Sequence, residues 1–138
     1  MRSRSGKLGF SAAASVVVIG AVLLSGCGSK PAFCQKEDEL NSAVKQLGNA
    51  ITSVNPTQIQ TAGQNVQTDA NALVTSAQNT YPGQTQEIQT SVTELVDGVK
   101  SFSSSTDKVA AAAGLVADLT AVKTAFQGLQ KKTKSDCG

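Results

Sequence analysis

The 138-residue chain has no histidine and no tryptophan. Without imidazole there is no Ser-His-Asp type triad, and the commonest metal ligand among side chains is missing. Aromatic residues are scarce, one tyrosine and four phenylalanines, so a core must be built from aliphatic side chains. The only arginines are Arg2 and Arg4. Beyond them no guanidinium fork is available to grip a phosphate or carboxylate at two points.

Charge is just as unevenly placed. Arg2, Arg4 and Lys7 are followed by no acidic residue before Glu37. After residue 26, nine lysines stand against ten carboxylates, a formal charge of −1, so the +2 of the whole chain misleads. No basic field suited to nucleic acid is present, and no nucleic-acid partner is expected.

The basic start leads into an apolar stretch at 10–24, interrupted by Ser11, Ser15 and Gly20. It falls short of the roughly 20 apolar residues that a membrane-spanning helix needs, but it suits the apolar part of an export signal. Arg2 and Arg4 are separated by Ser3, which gives no twin-arginine pair and favours the general secretion route. The stretch closes on Leu24-Ser25-Gly26-Cys27. This run resembles the lipobox of bacterial lipoproteins. The resemblance covers residues 1–27 only. It implies a cut before Cys27 by signal peptidase II, a diacylglycerol on the Cys27 sulfur, and a protein held by its lipid on the extracytoplasmic face of the cell membrane. The style of the composition, rich in Ala, Val, Gly and Thr, is similar to that of actinobacterial chains. The expected organisation is a signal peptide at 1–26, a lipidated tether at 27–33 and a folded domain at 34–138.

Helical periodicity runs through that domain in four segments. At 35–53, Leu40, Val44, Leu47, Ile51 and Val54 recur at spacings of four and three. Asn55-Pro56 supplies an N-cap, a first-turn proline and, with Gln58, the spacing of a capping box. At 56–79 the stripe is Ile59, Ala62, Val66, Ala70, Leu73 and Ala77, widened by Val74. Tyr81-Pro82-Gly83 breaks the pattern. At 83–102 it resumes with Ile88, Val92, Leu95, Val99 and Phe102. Ser103 to Thr106 offer cap candidates. At 106–134 the stripe is Leu115, Leu119, Val122, Phe126 and Leu129, with Val109, Ala112 and Val116 expected to broaden it. Glu37, Asp38 and Glu39 are expected in the first turn of the first helix, and Lys131, Lys132 and Lys134 in the last turns of the fourth. Gly48, Gly63, Gly98, Gly114 and Gly128 interrupt the segments. Close approach between helices would explain them, but plain tolerance is the reading adopted.

The predicted fold is all-α, an antiparallel up-down four-helix bundle. Cys34 and Cys137 bracket it, and two cysteines in an exported chain predict a disulfide. The helix count and the cysteine pair support each other. An even number of antiparallel helices returns the chain to the end where it began. An odd number would leave the two cysteines a helix length apart, far beyond the ~7 Å Cα limit for a bridge.

The tether of six residues between Cys27 and Cys34 spans at most about 25 Å. The disulfide end would face the bilayer, and with it the Tyr81 turn. Lys30, Lys36, Lys131, Lys132 and Lys134 would gather near the headgroups, offset by Glu37, Asp38, Glu39 and Asp136. The turns at Asn55-Pro56 and at Ser104-Ser105 would point away, and these four are the candidate partner-binding residues.

Little chemistry is on offer. Glu94 and Asp97 are three apart, but on a face that reads as solvated. Asp69 lies beside the second stripe, where a boundary or register role suits it. There is no phosphate-cradling glycine loop and no acidic calcium loop. No catalytic residue, metal site or cofactor is expected. The sequence thus points to a non-enzymatic, monomeric lipoprotein that binds a protein or cell-envelope partner. The alternative is a carrier holding a small apolar ligand between its helices.

Overall fold

The computed structural model describes residues 30–138. The expected signal peptide at 1–26, the lipidation site Cys27 and most of the 27–33 tether lie outside the described residues. The rest forms four helices in sequence: α1 (Ala32–Thr52), α2 (Pro56–Ala77), α3 (Pro82–Ser104) and α4 (Lys108–Cys137). Among the described residues there is no strand. At 1.5 Å per residue these helices of 21 to 30 residues are about 32–45 Å long.

Every stripe residue expected at spacings of four and three is buried, except Val54, which is half-buried at the end of α1. The stripes meet in one core, with Leu40, Leu47, Ile59, Leu73, Ile88, Leu95 and Phe102 each almost fully enclosed. Neighbouring helices pack α1 on α2, α2 on α3 and α3 on α4, and α4 closes the ring on α1 through its smallest contact. Pairs across the helices run in opposite directions. Glu37 meets Thr133 while Gly48 lies near Leu119, and Gly98 lies near Leu115 while Gly128 lies near Glu87. That is the pattern of an up-down arrangement. Cys34 and Cys137 are joined, with their Cα atoms 5.5 Å apart.

Local chemistry explains the turns. The backbone N–H of Gln58 donates to Asn55 Oδ1 (3.2 Å), with Pro56 in the first turn where its missing N–H costs nothing. The N-cap of α4 is Asp107, whose carboxylate accepts from Ala110 N–H (3.1 Å), and not one of the residues from Ser103 to Thr106. Helix α1 begins at Ala32, so its first turn holds no acidic residue and Glu37 falls further in. Val54 has φ of 49°, a left-handed conformation that a β-branched residue adopts at a cost of about 1–2 kcal/mol.

Two further expectations are corrected. Val109 and Val116 do not widen the α4 stripe: they are 74% and 52% exposed, and only Ala112 turns inward. Glycine is not merely tolerated at Gly63 and Gly98. A Cβ on Gly63 would come within 3.1 Å of Val99 Cγ2, and one on Gly98 would run into the Asp118 carboxylate and lie 3.1 Å from Leu115 Cδ2. Gly114 differs, since a Cβ there would meet nothing within 4 Å. Gly98→Ala should therefore lose stability by about 1 kcal/mol, overpacking against buried Leu115 outweighing the gain in helix propensity. Gly114→Ala should gain up to about 1 kcal/mol. Paired urea titrations of the two variants would show this opposite sign.

Candidate functional site

The two poles of the bundle differ in chemistry. At the pole where Cys34 and Cys137 meet, the disulfide is surrounded by cross-links between helices. Thr133 Oγ1 donates to Glu37 Oε1 at 2.6 Å, a buried pair. The Tyr81 hydroxyl, in the α2–α3 turn, donates to the Asp136 carboxylate, and its ring stands edge-on to Phe33 with centroids 5.7 Å apart. Burial raises the Glu37 carboxyl above the ordinary glutamate range, the Thr133 hydrogen bond opposes the rise, and Asp38 adds to it. The bond to Asp136 raises the Tyr81 phenol. Half-buried Asp69 is also raised, by burial first and then by Glu39, against the pull of Lys36. The Lys36–Glu39 ion pair (2.8 Å) is part-exposed and contributes at most about 1 kcal/mol.

A raised carboxyl has a definite consequence for stability. Folding favours the protonated form of Glu37, so its contribution is full below the unfolded value of about 4.3 and is lost as pH rises through the folded value. Glu37→Gln keeps an oxygen for Thr133 and removes the buried charge. It should raise the melting temperature at pH 7, and the gain should fade as pH drops to about 4. Thermal melts across that range would measure it.

The opposite pole carries the candidate partner-binding residues. Asn55 and Pro56 sit at the start of α2, Ser104 at the end of α3 and Ser105 just beyond it. The structure brings both turns to one pole, but it commits their polar groups to local bonds. Asn55 caps α2. Ser104 Oγ donates to the carbonyls of Ser101 (3.2 Å) and Lys100 (3.4 Å), and Ser105 Oγ to that of Asp107 (3.0 Å). Lys108 Nζ donates to the carbonyls of Phe102 (2.7 Å) and Ser103 (3.1 Å) and lies over the Phe102 ring.

The surface beside the first turn is less committed. A cleft of about 400 Å³ runs between α1 and α2 and is lined by Gln46, Asn49, Thr57, Thr61 and Asn65, with Ala50 and Ala62 at its floor. Within the described residues, no hydrogen bond engages the side chains of Gln46, Thr57, Thr61 or Asn65, and Gln58 uses only its backbone. Residues 46–68 contain no charged side chain at all. That run was the available sequence signal for this surface, and stripe-based reading passes over it. The cleft offers uncharged donors and acceptors. It can hydrogen-bond a neutral polar chain, but it holds no nucleophile with an adjacent base. A second cleft, between α2 and α3, is lined by Gln60, Gln64, Gln67 and Lys100 and is likewise open to solvent.

Glu94 and Asp97 are exposed, as their spacing implied. No group of three or more His, Cys, Asp or Glu side chains among the described residues could hold a metal ion. Helix α4 is long and apolar enough to cross a membrane by composition, yet its Leu115 to Leu129 stripe is buried in the bundle. Compared with known proteins, the chain matches no family model, no curated protein and no solved structure.

Proposed function

We propose that the chain is an exported lipoprotein, cut before Cys27 and anchored there by acyl chains, whose bundle presents its far pole to a protein or cell-envelope partner. The observation that carries this reading is polarity of the fold. Both ends of the described domain are tied at one pole by Cys34–Cys137, with six residues between Cys34 and Cys27, while the uncharged hairpin at 46–68 and the α3–α4 turn make the other. The anchor explains why one pole is cross-linked, and the free pole explains an accessible surface with unspent amides and hydroxyls. The reading is non-enzymatic, because the α1–α2 cleft offers hydrogen bonding from uncharged groups and no acid–base pair. Strain at Val54 falls on the same hairpin, and such strain concentrates where a loop is held for recognition. The open, amide-lined clefts do not favour the carrier alternative, which needs an enclosed apolar space.

Two measurements test it. Cys27→Ala should release the protein from the membrane fraction and abolish fatty-acid labelling. Photo-crosslinkers at Thr57 and Thr61 should capture a partner in intact cells, and Gln46→Lys with Asn65→Lys should abolish that capture. Retention of Cys27→Ala in the membrane contradicts the anchor. Crosslinks that form only from the disulfide pole contradict the assignment of the binding surface.

A further inference from the structure

The pole that carries the disulfide also carries lysines without partners. Lys131 and Lys134, with Gln127 and Gln130, line a cleft of about 430 Å³ beside Glu37 and Cys137. Lys30 lines a neighbouring cleft with Asp38, and Cys137 borders both. Lys30, Lys131, Lys132 and Lys134 are all exposed, and among the described residues the one ion pair is Lys36–Glu39. Three of the four carboxylates expected to offset these lysines are engaged within the fold. Glu37 is buried and accepts from Thr133, Glu39 is held by Lys36, and Asp136 accepts from the Tyr81 hydroxyl. Asp38 is the one left exposed, and Glu87 of α3 stands further along the bundle, near Gly128. No exposed carboxylate side chain lines the cleft of Lys131 and Lys134.

We propose that these lysines seat the disulfide pole on the headgroups of anionic phospholipids, with Lys131 and Lys134 taking a headgroup phosphate in their cleft. The inference rests on the lipid anchor at Cys27. Lys30 is three residues from Cys27, at most about 11 Å of extended chain. Lys131 is six residues from Cys137, about 9 Å along α4, and its stem can carry the ammonium group further toward the end of the helix. Both distances are close to the Debye length of about 10 Å at 0.1 M salt, so an anionic surface under this pole attracts every one of these lysines. Lysine meets phosphate as a point charge, and the amides of Gln127 and Gln130 can donate to the same oxygens. The tether also selects the occupant. A folded protein does not fit beneath Lys30 in a gap of that size, whereas the bilayer surface is already there. Seated in this way, the bundle stands on the membrane, and the uncharged hairpin at 46–68 is held away from it.

Acetylation of lysines, read residue by residue by mass spectrometry, tests the seat on protein purified from membranes and returned to vesicles. In vesicles of phosphatidylcholine mixed with phosphatidylglycerol, Lys30, Lys131 and Lys134 should each react about fivefold more slowly than in phosphatidylcholine alone. Exposed Lys45, Lys100 and Lys123 should react alike in both. The protection should fade at high salt. Lys131→Gln with Lys134→Gln should weaken the protection of Lys30, while Lys45→Gln with Lys123→Gln, which removes the same charge elsewhere, should leave it unchanged. Equal reactivity of Lys30, Lys131 and Lys134 in the two kinds of vesicle, in protein that floats with both, overturns the seat and leaves the anchor standing. Protein that floats with neither lacks the anchor, and the seat falls with it. Protection shared equally by Lys45, Lys100 and Lys123 overturns the choice of pole. Equal protection by inorganic phosphate over neutral vesicles overturns the lipid as the ligand.

Discussion

Replacing Cys34 and Cys137 by alanine should lower the free energy of unfolding by about 4 kcal/mol. The bridge closes a loop of 103 residues, nearly the whole domain. In the chain-entropy account a loop of that length contributes up to ~4.7 kcal/mol, because the linked unfolded chain has fewer conformations to lose. The seam it closes is the one between α1 and α4, where packing is thinnest. Loss of the link is therefore not masked by a large apolar contact beside it. Urea titration of the oxidised protein and the double variant would measure the difference. The midpoint should fall, and the slope should rise, since a chain freed of its cross-link exposes more surface when it unfolds. Reductant added to the wild type should reproduce both changes.

Phe102→Ala should cost about 3–5 kcal/mol, the range for deleting a buried aromatic ring. The ring is fully enclosed at the end of α3, and Lys108 Nζ stands 4.9 Å from its centroid. Truncation removes both the packing and the cation–π contact, while the Lys108 bonds to backbone carbonyls can persist. This site lies at the pole opposite the disulfide, about a helix length away, so the two losses should add. Their sum rivals the whole stability of a small domain, about 5–15 kcal/mol. The triple variant should accordingly lose its cooperative thermal transition, while each parent change leaves one.

The stripes were legible because four helices of similar length bury one face each, and a face at spacings of four and three is written directly in residues such as Leu40, Val44 and Leu47. Asn55-Pro56 was legible for the same reason: a cap is a local event. The cysteine pair needed only the helix count. Other features depend on register between distant segments. Glu37 and Thr133 are 96 residues apart, and nothing local to either announces the bond. Whether a glycine is tolerated or required depends on what faces it, so Gly98 and Gly114 look alike in sequence and differ in the fold. Val109 and Val116 misled for another reason. The first half of α4 is apolar nearly all round, and periodicity gives little direction where few polar residues mark the outside. The candidate surface was half legible. Its turns were identified, but the cleft beside them was not, because an uncharged polar run leaves no hydrophobic stripe to follow.

Intact mass spectrometry of protein extracted from membranes reads the start of the mature chain, its lipid and its bridge in one experiment. The expected mass is that of a chain beginning at Cys27, heavier by a diacylglycerol, and lighter by two hydrogens for one internal bridge between Cys34 and Cys137. A chain that keeps residues 1–26, or one whose two later cysteines both react with a thiol reagent before reduction, would contradict it.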